Sequence, residues 1–576
     1  MRDVKVSDWI AEYLAEQGVT RVYELIGGMI VHMVDAIHRQ GRIELVSVRH
    51  EQAAAFAADA EGRITRIPGV AMATSGPGAT NLLTGIGSCH FDSSPAVFIT
   101  GQVNRHEQRG DRGIRQLGFQ ETDIVAMAAP ITKGAVRVET PEEVPALLEW
   151  AFTLATQGRP GPVLVDIPMD VQGAILELPD PARAPEPPRT APDPQAANDL
   201  LAALARAKRP LVLAGAGVRA SGAIDELRTA VNQLGVPVVH SLLAVDVLPY
   251  EHTLRVGLIG SYGNRWGNWS IGEADLLLVV GARLDIRQTG SEVEAFKGER
   301  VIFHVDAEAV EINQRVPGCR SVVADARAFL AELCTRTDEA RGLPSYAAWR
   351  EEIAAKRAEW PDTAELPDIE GLNPNVLMHE LSAVSDAAGA FVVDVGQHQQ
   401  WAAQSLELTA QQRFLTSGGM GAMGFSLPAA IGAALSTGKP VVVIAGDGCF
   451  QLNLQELESV AHRRLPLKIV VVDNGCHGMV RQFQQSYFDG RYQSTVWGYS
   501  APDFSRVAQA FGIGSARVDA PEDLAGALAQ LWADPSVPFL LTVSIDLMAN
   551  AYPKLAFGRP VTEMEPFAQP IAMEGT

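Results

Sequence analysis

The chain has 576 residues, of which 47% are apolar and 20% charged, and a formal net charge of −21. That length gives room for about three domains with sizeable cores, and the acidic balance argues against a nucleic-acid or anionic-membrane partner, because phosphate binding needs concentrated Lys and Arg. The five cysteines, Cys89, Cys319, Cys334, Cys449 and Cys476, are scattered without a CxxC pair, which argues against a disulfide framework and a zinc site.

In chain order, the opening MRDVKVSDWIAEYLAEQGV sets charged and apolar residues at helical spacing. It has neither the basic start nor the apolar run of a signal peptide, and no apolar stretch reaches the roughly 18–20 residues of a membrane span. The cytoplasm is the expected location. Short β-rich runs then alternate with helical patterns: GVAMATS, AVFITGQ and PVLVDIP, next PLVLAGAG, ADLLLVVGA and VIFHVD, finally AFVVDVG, PVVVIAGDG and LKIVVVDNG. This alternation predicts an α/β fold built of three doubly wound parallel-sheet domains. Most runs close on Gly, Asp, Asn or Ser, at the strand ends where open α/β sheets collect ligands. Residues 179–195, PDPARAPEPPRTAPDPQ, hold too much proline for a packed element. Residues near 336–372 are charged and helix-prone and run into PDIEGLNPN, a second expected linker. The expected division is 1–175, 196–335 and 373–550, with a tail over 551–576; the outer two units are of similar size, and no short repeat is visible.

The most informative local pattern lies in the third unit. PVVVIA runs into Gly446-Asp447-Gly448, and LKIVVVDN ends at Asn474, about 25 residues further on. Asp-Gly and Asn-Gly are also common turn dipeptides. Two strand ends bearing Asp and Asn oxygens suit Mg²⁺, which takes oxygen ligands and keeps substrate phosphates beside them. The flanking glycines let backbone approach phosphate oxygens.

That spacing resembles the motif of thiamine diphosphate (ThDP) enzymes. The wider resemblance, to acetohydroxyacid (acetolactate) synthases, spans nearly the whole chain through RHEQAAAFAADA, TSGPGATNLLTGI, GFQETDIV, GRPGPVLVDIP, DVGQHQQWAAQ, SGGMGAMGFSLPAAIGA, GDGCFQLNLQELES, DNGCHGMVRQFQ and YPKLAFGRP. It implies a pyrimidine-binding first domain, a central domain and a diphosphate-binding third domain. It further implies Asp447, Asn474 and the Cys476 carbonyl as Mg²⁺ ligands, with Val395, Gly396, Gln397, His398, Gly446 and Gly448 at the diphosphate. Gly421 and Met423 would hold the aminopyrimidine; Met423 alone would read as core packing. Glu51, after IELVSV and opening an Ala-rich helix, matches the family's activating carboxylate, which hydrogen-bonds the pyrimidine from apolar surroundings; by itself it is an ordinary first-turn acid. Gly28, Phe119 and Gln120 would lie beside the reacting centre. Because the family holds each cofactor between the first unit of one chain and the third of another, a homodimer is the smallest active species implied, and a homotetramer is compatible with it. A regulatory subunit is not legible.

The anabolic members carry a non-redox FAD in the middle unit, and Arg159, Gly215, Gly217, the segment 260–281 and Asp306 match that site. A single GAG turn also serves structure alone, so a decayed or ADP-binding site stays open. The acceptor side departs from the family. Phe483 stands where the family has Trp, Met169 replaces a Lys, and Met29 replaces a small residue. The loop 104–118, carrying Arg105, Arg109, Arg112 and Arg115, is longer than usual. Arg287 matches the family Arg that pairs with an acceptor carboxylate, and Met479 joins it at the expected substrate pocket. IGGMI, the Arg loop, and RYQST followed by GYSAPDF also resemble acetolactate-synthase-like enzymes that add a two-carbon unit to nucleotide-linked keto-deoxysugars. The Arg loop reads equally as a contact for a nucleotide diphosphate and as a solvated loop with paired charges. The expected reaction is decarboxylation of a 2-oxo acid donor, pyruvate, and transfer of the acyl carbanion to a carbonyl acceptor. The alternatives are acetyl transfer to a ketone or keto-sugar and a non-catalytic ThDP-binding relative.

Overall fold

A computed structural model describes residues 2–339 and 343–573. Three six-stranded sheets, each all-parallel, account for most of the strands. The first runs Glu44–Ser47, Arg21–Leu25, Gly69–Ala73, Ala96–Gln102, Pro162–Pro168, Gly134–Arg137 across its width. The middle sheet runs Arg255–Leu258, Val238–His240, Pro210–Ala214, Leu276–Val280, Val301–Asp306, Arg320–Val323. The third runs Arg413–Leu415, Ala390–Val393, Val441–Gly446, Leu467–Asp473, Phe539–Ser544, Gly514–Val518. Counting strands in chain order within each sheet, the first and third share the order 2-1-3-4-6-5, whereas the middle is 3-2-1-4-5-6. The central strands are continuous apolar runs such as VVVIAG and LKIVVVD, buried almost throughout because helices cover both faces.

The strand orders decide where a ligand can sit. Strand order reverses between the first and third strands of the outer sheets and between the first and fourth of the middle one, and each reversal opens a crevice at the carboxyl ends. The residues after those strands are Ile26–Met29 with Thr74–Gly76 in the first unit, Gly215–Gly217 with Gly281–Arg283 in the middle, and Asp394–Gln397 with Asp447–Gly448 in the third. Three of the glycine-rich segments picked out in the sequence thus stand at three switch points.

The outer units pack on each other through helix Glu51–Thr65 and helix Ser426–Thr437, which follow the second strand of their respective sheets. Both are rich in Ala and Gly, so their backbones approach closely; a Cβ added at Gly432 would overlap the Ala57 carbonyl. Phe56 meets Phe425 edge-on at 5.3 Å, and Arg63, ion-paired to Asp59 and Asp92, donates to the Thr416 carbonyl at 2.8 Å.

Residues 179–193 form no helix or strand, and a helix begins at Pro194. The second proposed linker is more structured than its composition implied. Helix Ala347–Glu359 buries Trp349 and Ile353 in the middle unit's core, because its apolar face has a matching surface there. Residues 340–342 of that linker lie outside the described residues, as do 574–576 of the tail. The tail from 551 to 573 forms a short hairpin, Lys554–Leu555 with Met564–Glu565. It is pinned by Arg265, which is buried, pairs bidentately with Glu365 and donates to the Met564 and Glu565 carbonyls. No helix among the described residues is long and apolar enough to cross a membrane.

Candidate functional site

At the third sheet's switch point, Asp447 is buried at the first turn of a short helix and Asn474 follows the neighbouring strand. Asn474 Nδ2 donates to Gln397 Oε1 at 3.2 Å, while Gln397 Nε2 donates to Gln482 Oε1 and the Ala549 carbonyl. This chain of amides fixes the Asn474 side chain, its nitrogen committed to Gln397 and its oxygen accepting from the Cys476 N–H at 3.3 Å. Burial, with the nearby charge of Asp473, pushes the Asp447 carboxyl up to about 6, against a hydrogen bond from Tyr499 that lowers it. A buried carboxylate so destabilised, beside an oriented amide oxygen, is a donor set that fits a hard cation.

The same crevice is shaped by backbone. A Cβ at Gly396 or Gly446 would lie 2.6 or 2.9 Å from the His398 ring, and one at Gly448 2.7 Å from the His477 ring. The His398 Nε2 accepts the Gly446 N–H at 3.2 Å, and burial depresses its pKa. Gly421 takes φ +67°, open to glycine, and its Cβ position faces Val395 at 3.8 Å; Met423 is half-buried two residues on.

Asp394 was not singled out in the sequence, yet it builds this wall. It is buried, and its two oxygens accept from Val395 N, Gly424 N, Ser426 N and Ser426 Oγ at 2.7–2.9 Å. It thereby clamps the SGGMGAMGFS loop to the strand end that bears Val395. Its place at the end of AFVVD was the available signal. Tyr499 was given no role either: it lies in the GYSAPDF segment noted in the sequence, but its partner Asp447 is 52 residues away in chain.

In the first unit, Glu51 is buried at the start of its helix. Asn81 Nδ2 donates to its Oε2 at 2.9 Å, and Gly78 leaves space beside Oε1, where an added Cβ would stand 3.2 Å away. One oxygen is thus committed and the other accessible. Gly28 is exposed, and a Cβ there would meet nothing within 4 Å. Met29 is half-buried, its carbonyl accepting from Gln172 Nε2 at 2.7 Å. Gln120 has φ +66°, a conformation side chains rarely adopt, and backs against Gly76, whose added Cβ would be 3.0 Å away. Such strain persists where the surroundings over-determine it, commonly at functional sites. Phe119 beside it is 80% exposed.

A second cavity occupies the middle sheet's switch point. Arg159, Gly217, Asp306, Arg287, Gln288 and Gln400 are among its lining residues. Arg159 is tied to Glu311 and Glu308 and donates to Ser93 Oγ at 2.7 Å. Gly215 and Gly217 have an internal reason to be glycine, since a Cβ at either would collide with the backbone around Gly281. The GAG turn is thus explained by packing alone. Gln288 and Asp306 line this cavity; the buried Gln288 Oε1 has no hydrogen-bond partner, and Asp306 uses Oδ1 on the Glu308 N–H. Arg287 is exposed. Tyr262 of the same lining donates to Met479 Sδ at 3.2 Å, which joins this cavity to the third unit. Phe483, one helical turn after Met479, packs on Tyr487 at 4.8 Å. Met169 starts a short helix whose Asp170 holds Arg105 at 2.8 Å. In the Arg loop, Arg109 and Arg112 donate to loop carbonyls.

Three family models match the chain. They are described as thiamine pyrophosphate enzyme N-terminal TPP binding domain (residues 4–127), central domain (197–333) and C-terminal TPP binding domain (394–543). The chain is similar to the acetolactate synthase isozyme 2 large subunit of Escherichia coli (strain K12), 36% identical over 97% of this chain and 98% of that one. It is 36% identical to an acetolactate synthase large subunit of Parasynechococcus marenigrum (strain WH8102), over 96% and 90% of the two chains. It is also 35% identical to the chloroplastic acetolactate synthase 2 of Nicotiana tabacum, over 96% and 84%.

Proposed function

This chain belongs to the acetolactate synthase family of thiamine pyrophosphate enzymes, and we propose from that premise that it decarboxylates pyruvate and joins the acyl unit to a second carbonyl compound. Thiamine diphosphate, when bound, supplies the electron sink that decarboxylation and carbon–carbon bond formation require. The observation that carries the reading is the third switch point, where Asp447, an oriented Asn474 and three glycine backbones converge.

Asp447, the Asn474 oxygen and the Cys476 carbonyl would hold Mg²⁺, and Val395–His398 with Gly446 and Gly448 would receive the diphosphate. The Asp394 clamp presents Gly421 and Met423 to the pyrimidine. Glu51, with Oε2 held by Asn81, would hold or release a proton at Oε1. Gln120 and Gly28 would line the space for pyruvate, and Phe119 would help exclude water from it. The middle cavity, with its unpartnered Gln288 oxygen and the Asp306 carboxylate, fits a non-redox FAD. Arg287, exposed at the cavity whose Tyr262 bonds Met479, would pair with an anionic acceptor. Glu51 and Asp447 would serve one site from two chains, in a homodimer or a homotetramer; the open space before Gly28 and the exposed Phe119 support a face completed by a partner.

The test supplies the purified protein with ThDP, Mg²⁺, FAD and pyruvate and identifies products by mass spectrometry. Acetolactate is the expected product. Release of CO₂ without acetolactate would reject pyruvate as the acceptor and direct the search to ketones and keto-sugars, the side on which Phe483, Met169 and Met29 depart from the family.

A further inference from the structure

The segment between helix Gly478–Tyr487 and helix Phe504–Ala510 folds back across the third switch point, and one side chain from it reaches the metal carboxylate. Tyr499 Oη donates to Asp447 Oδ2 at 2.7 Å. The phenol is held from two further sides: Gln451 Nε2 donates to its oxygen at 3.3 Å, and the His477 ring packs edge-on at 4.7 Å. Glycine at 448 makes room for the arrangement, since a Cβ there would stand 3.4 Å from the tyrosine oxygen as well as against His477. The hydroxyl therefore has a fixed donor role, with its hydrogen committed to Asp447 and its oxygen accepting from Gln451.

We propose that Tyr499 is a positioning residue for the metal. By holding Oδ2 it fixes the rotation of the Asp447 carboxylate, whose other oxygen would be left for Mg²⁺, and it ties the 488–503 segment to the third switch point. This rests on the reading of Asp447 as a Mg²⁺ ligand. Groups that orient a metal ligand from behind change metal affinity by about 10–100-fold when removed. Tyr499 touches neither pyruvate nor its acceptor in this scheme, so its signature is in metal and cofactor retention.

The experiment uses the full-length protein and compares wild type, Tyr499→Phe and Asp447→Asn. ThDP binding is followed by tryptophan fluorescence as Mg²⁺ is titrated, and ThDP release is timed after addition of EDTA. Phenylalanine keeps the ring against His477 and removes only the donated hydrogen. The expected result is a rise of about tenfold in the Mg²⁺ concentration for half-maximal ThDP binding, with faster release, in Tyr499→Phe. Loss of one hydrogen bond to a buried carboxylate should lower the metal-free melting temperature only slightly, so the Mg²⁺ curve decides the proposal. A Mg²⁺ curve that does not move in Tyr499→Phe while moving in Asp447→Asn overturns the proposal and leaves the metal reading intact. If neither variant moves the curve, the metal reading falls, and the proposal with it. A lowered metal-free melting temperature with an unmoved Mg²⁺ curve identifies Tyr499 as structural only and equally overturns it.

Discussion

Glu51 shows what one side chain owes to its neighbours. A carboxylate in the first turn of a helix is ordinarily a dipole-satisfying surface group, but here it is buried, one oxygen takes the Asn81 amide, and the absent side chain of Gly78 leaves the other free. Replacing Glu51 with Gln keeps the Asn81 contact and removes the exchangeable carboxyl proton. Turnover should fall by about 10²–10⁴-fold, the usual worth of a positioned acid–base group, with ThDP affinity nearly unchanged in a fluorescence titration. Activity near the wild-type level would remove Glu51 from the proton path. Glu51, Asp447 and Asn474 were legible in the sequence because each sits in a dense local pattern at a strand or helix boundary. Asp394, Tyr499 and the backbone strain at Gln120 were not singled out. The first two act on partners 30 and 52 positions away, and a positive φ leaves no mark on a residue that is not glycine.

At the scale of elements, the strand runs of all three sheets were readable because buried parallel strands are continuous apolar runs. Which helix faces which was not: the pairing of Glu51–Thr65 with Ser426–Thr437 joins segments some 370 residues apart, and only their shared poverty in bulky side chains hinted at close approach. The charged stretch around 336–372 also concealed an anchored segment. His379, on helix Pro374–Ala383, bonds Asp362 at 2.9 Å and Glu407 at 2.7 Å, and Asp362 accepts from Ser405 as well. Burial alone would lower the His379 pKa, but its two carboxylate partners outweigh that and raise it. Burial would raise that of Asp362, yet the His379 and Ser405 bonds lower it. A raised histidine contributes stability that is complete below its unfolded value of 6.5 and is lost as pH rises through the folded value. A lowered aspartate contributes above its unfolded 3.8 and loses that as pH falls through the folded value. Both contributions are present together from just above pH 3.8 to just below 6.5. His379→Gln should therefore depress the melting temperature most near pH 5, with the difference from wild type narrowing toward pH 8. A difference independent of pH would show that His379 serves by packing and not by charge.

For the whole molecule, the shared 2-1-3-4-6-5 order of the outer sheets means that one chain carries two related crevices, one with Glu51 beside it and one with Asp447. On the proposed function a single chain holds both halves of a site, and the question is whether it joins its own halves or another chain's. Mixing two inactive variants decides this. In Glu51→Gln the carboxylate half is lost everywhere, and in Asp447→Asn the metal half is. If each site takes Glu51 from one chain and Asp447 from the other, a mixed dimer contains one site with both lesions and one with neither. Co-expressed or unfolded-and-refolded mixtures at equal amounts would then form mixed dimers as about half of all dimers and recover about a quarter of wild-type activity, a consequence of two-fold symmetry. If each chain completes its own site, every site carries one lesion, and no mixture exceeds the activity of its parents. Recovery would establish the two-chain site without any structure of the assembly. Its absence, in mixtures shown by tag pull-down to contain mixed dimers, would place both halves of the chemistry in one chain and reassign the open face at Gly28 and Phe119 to substrate entry.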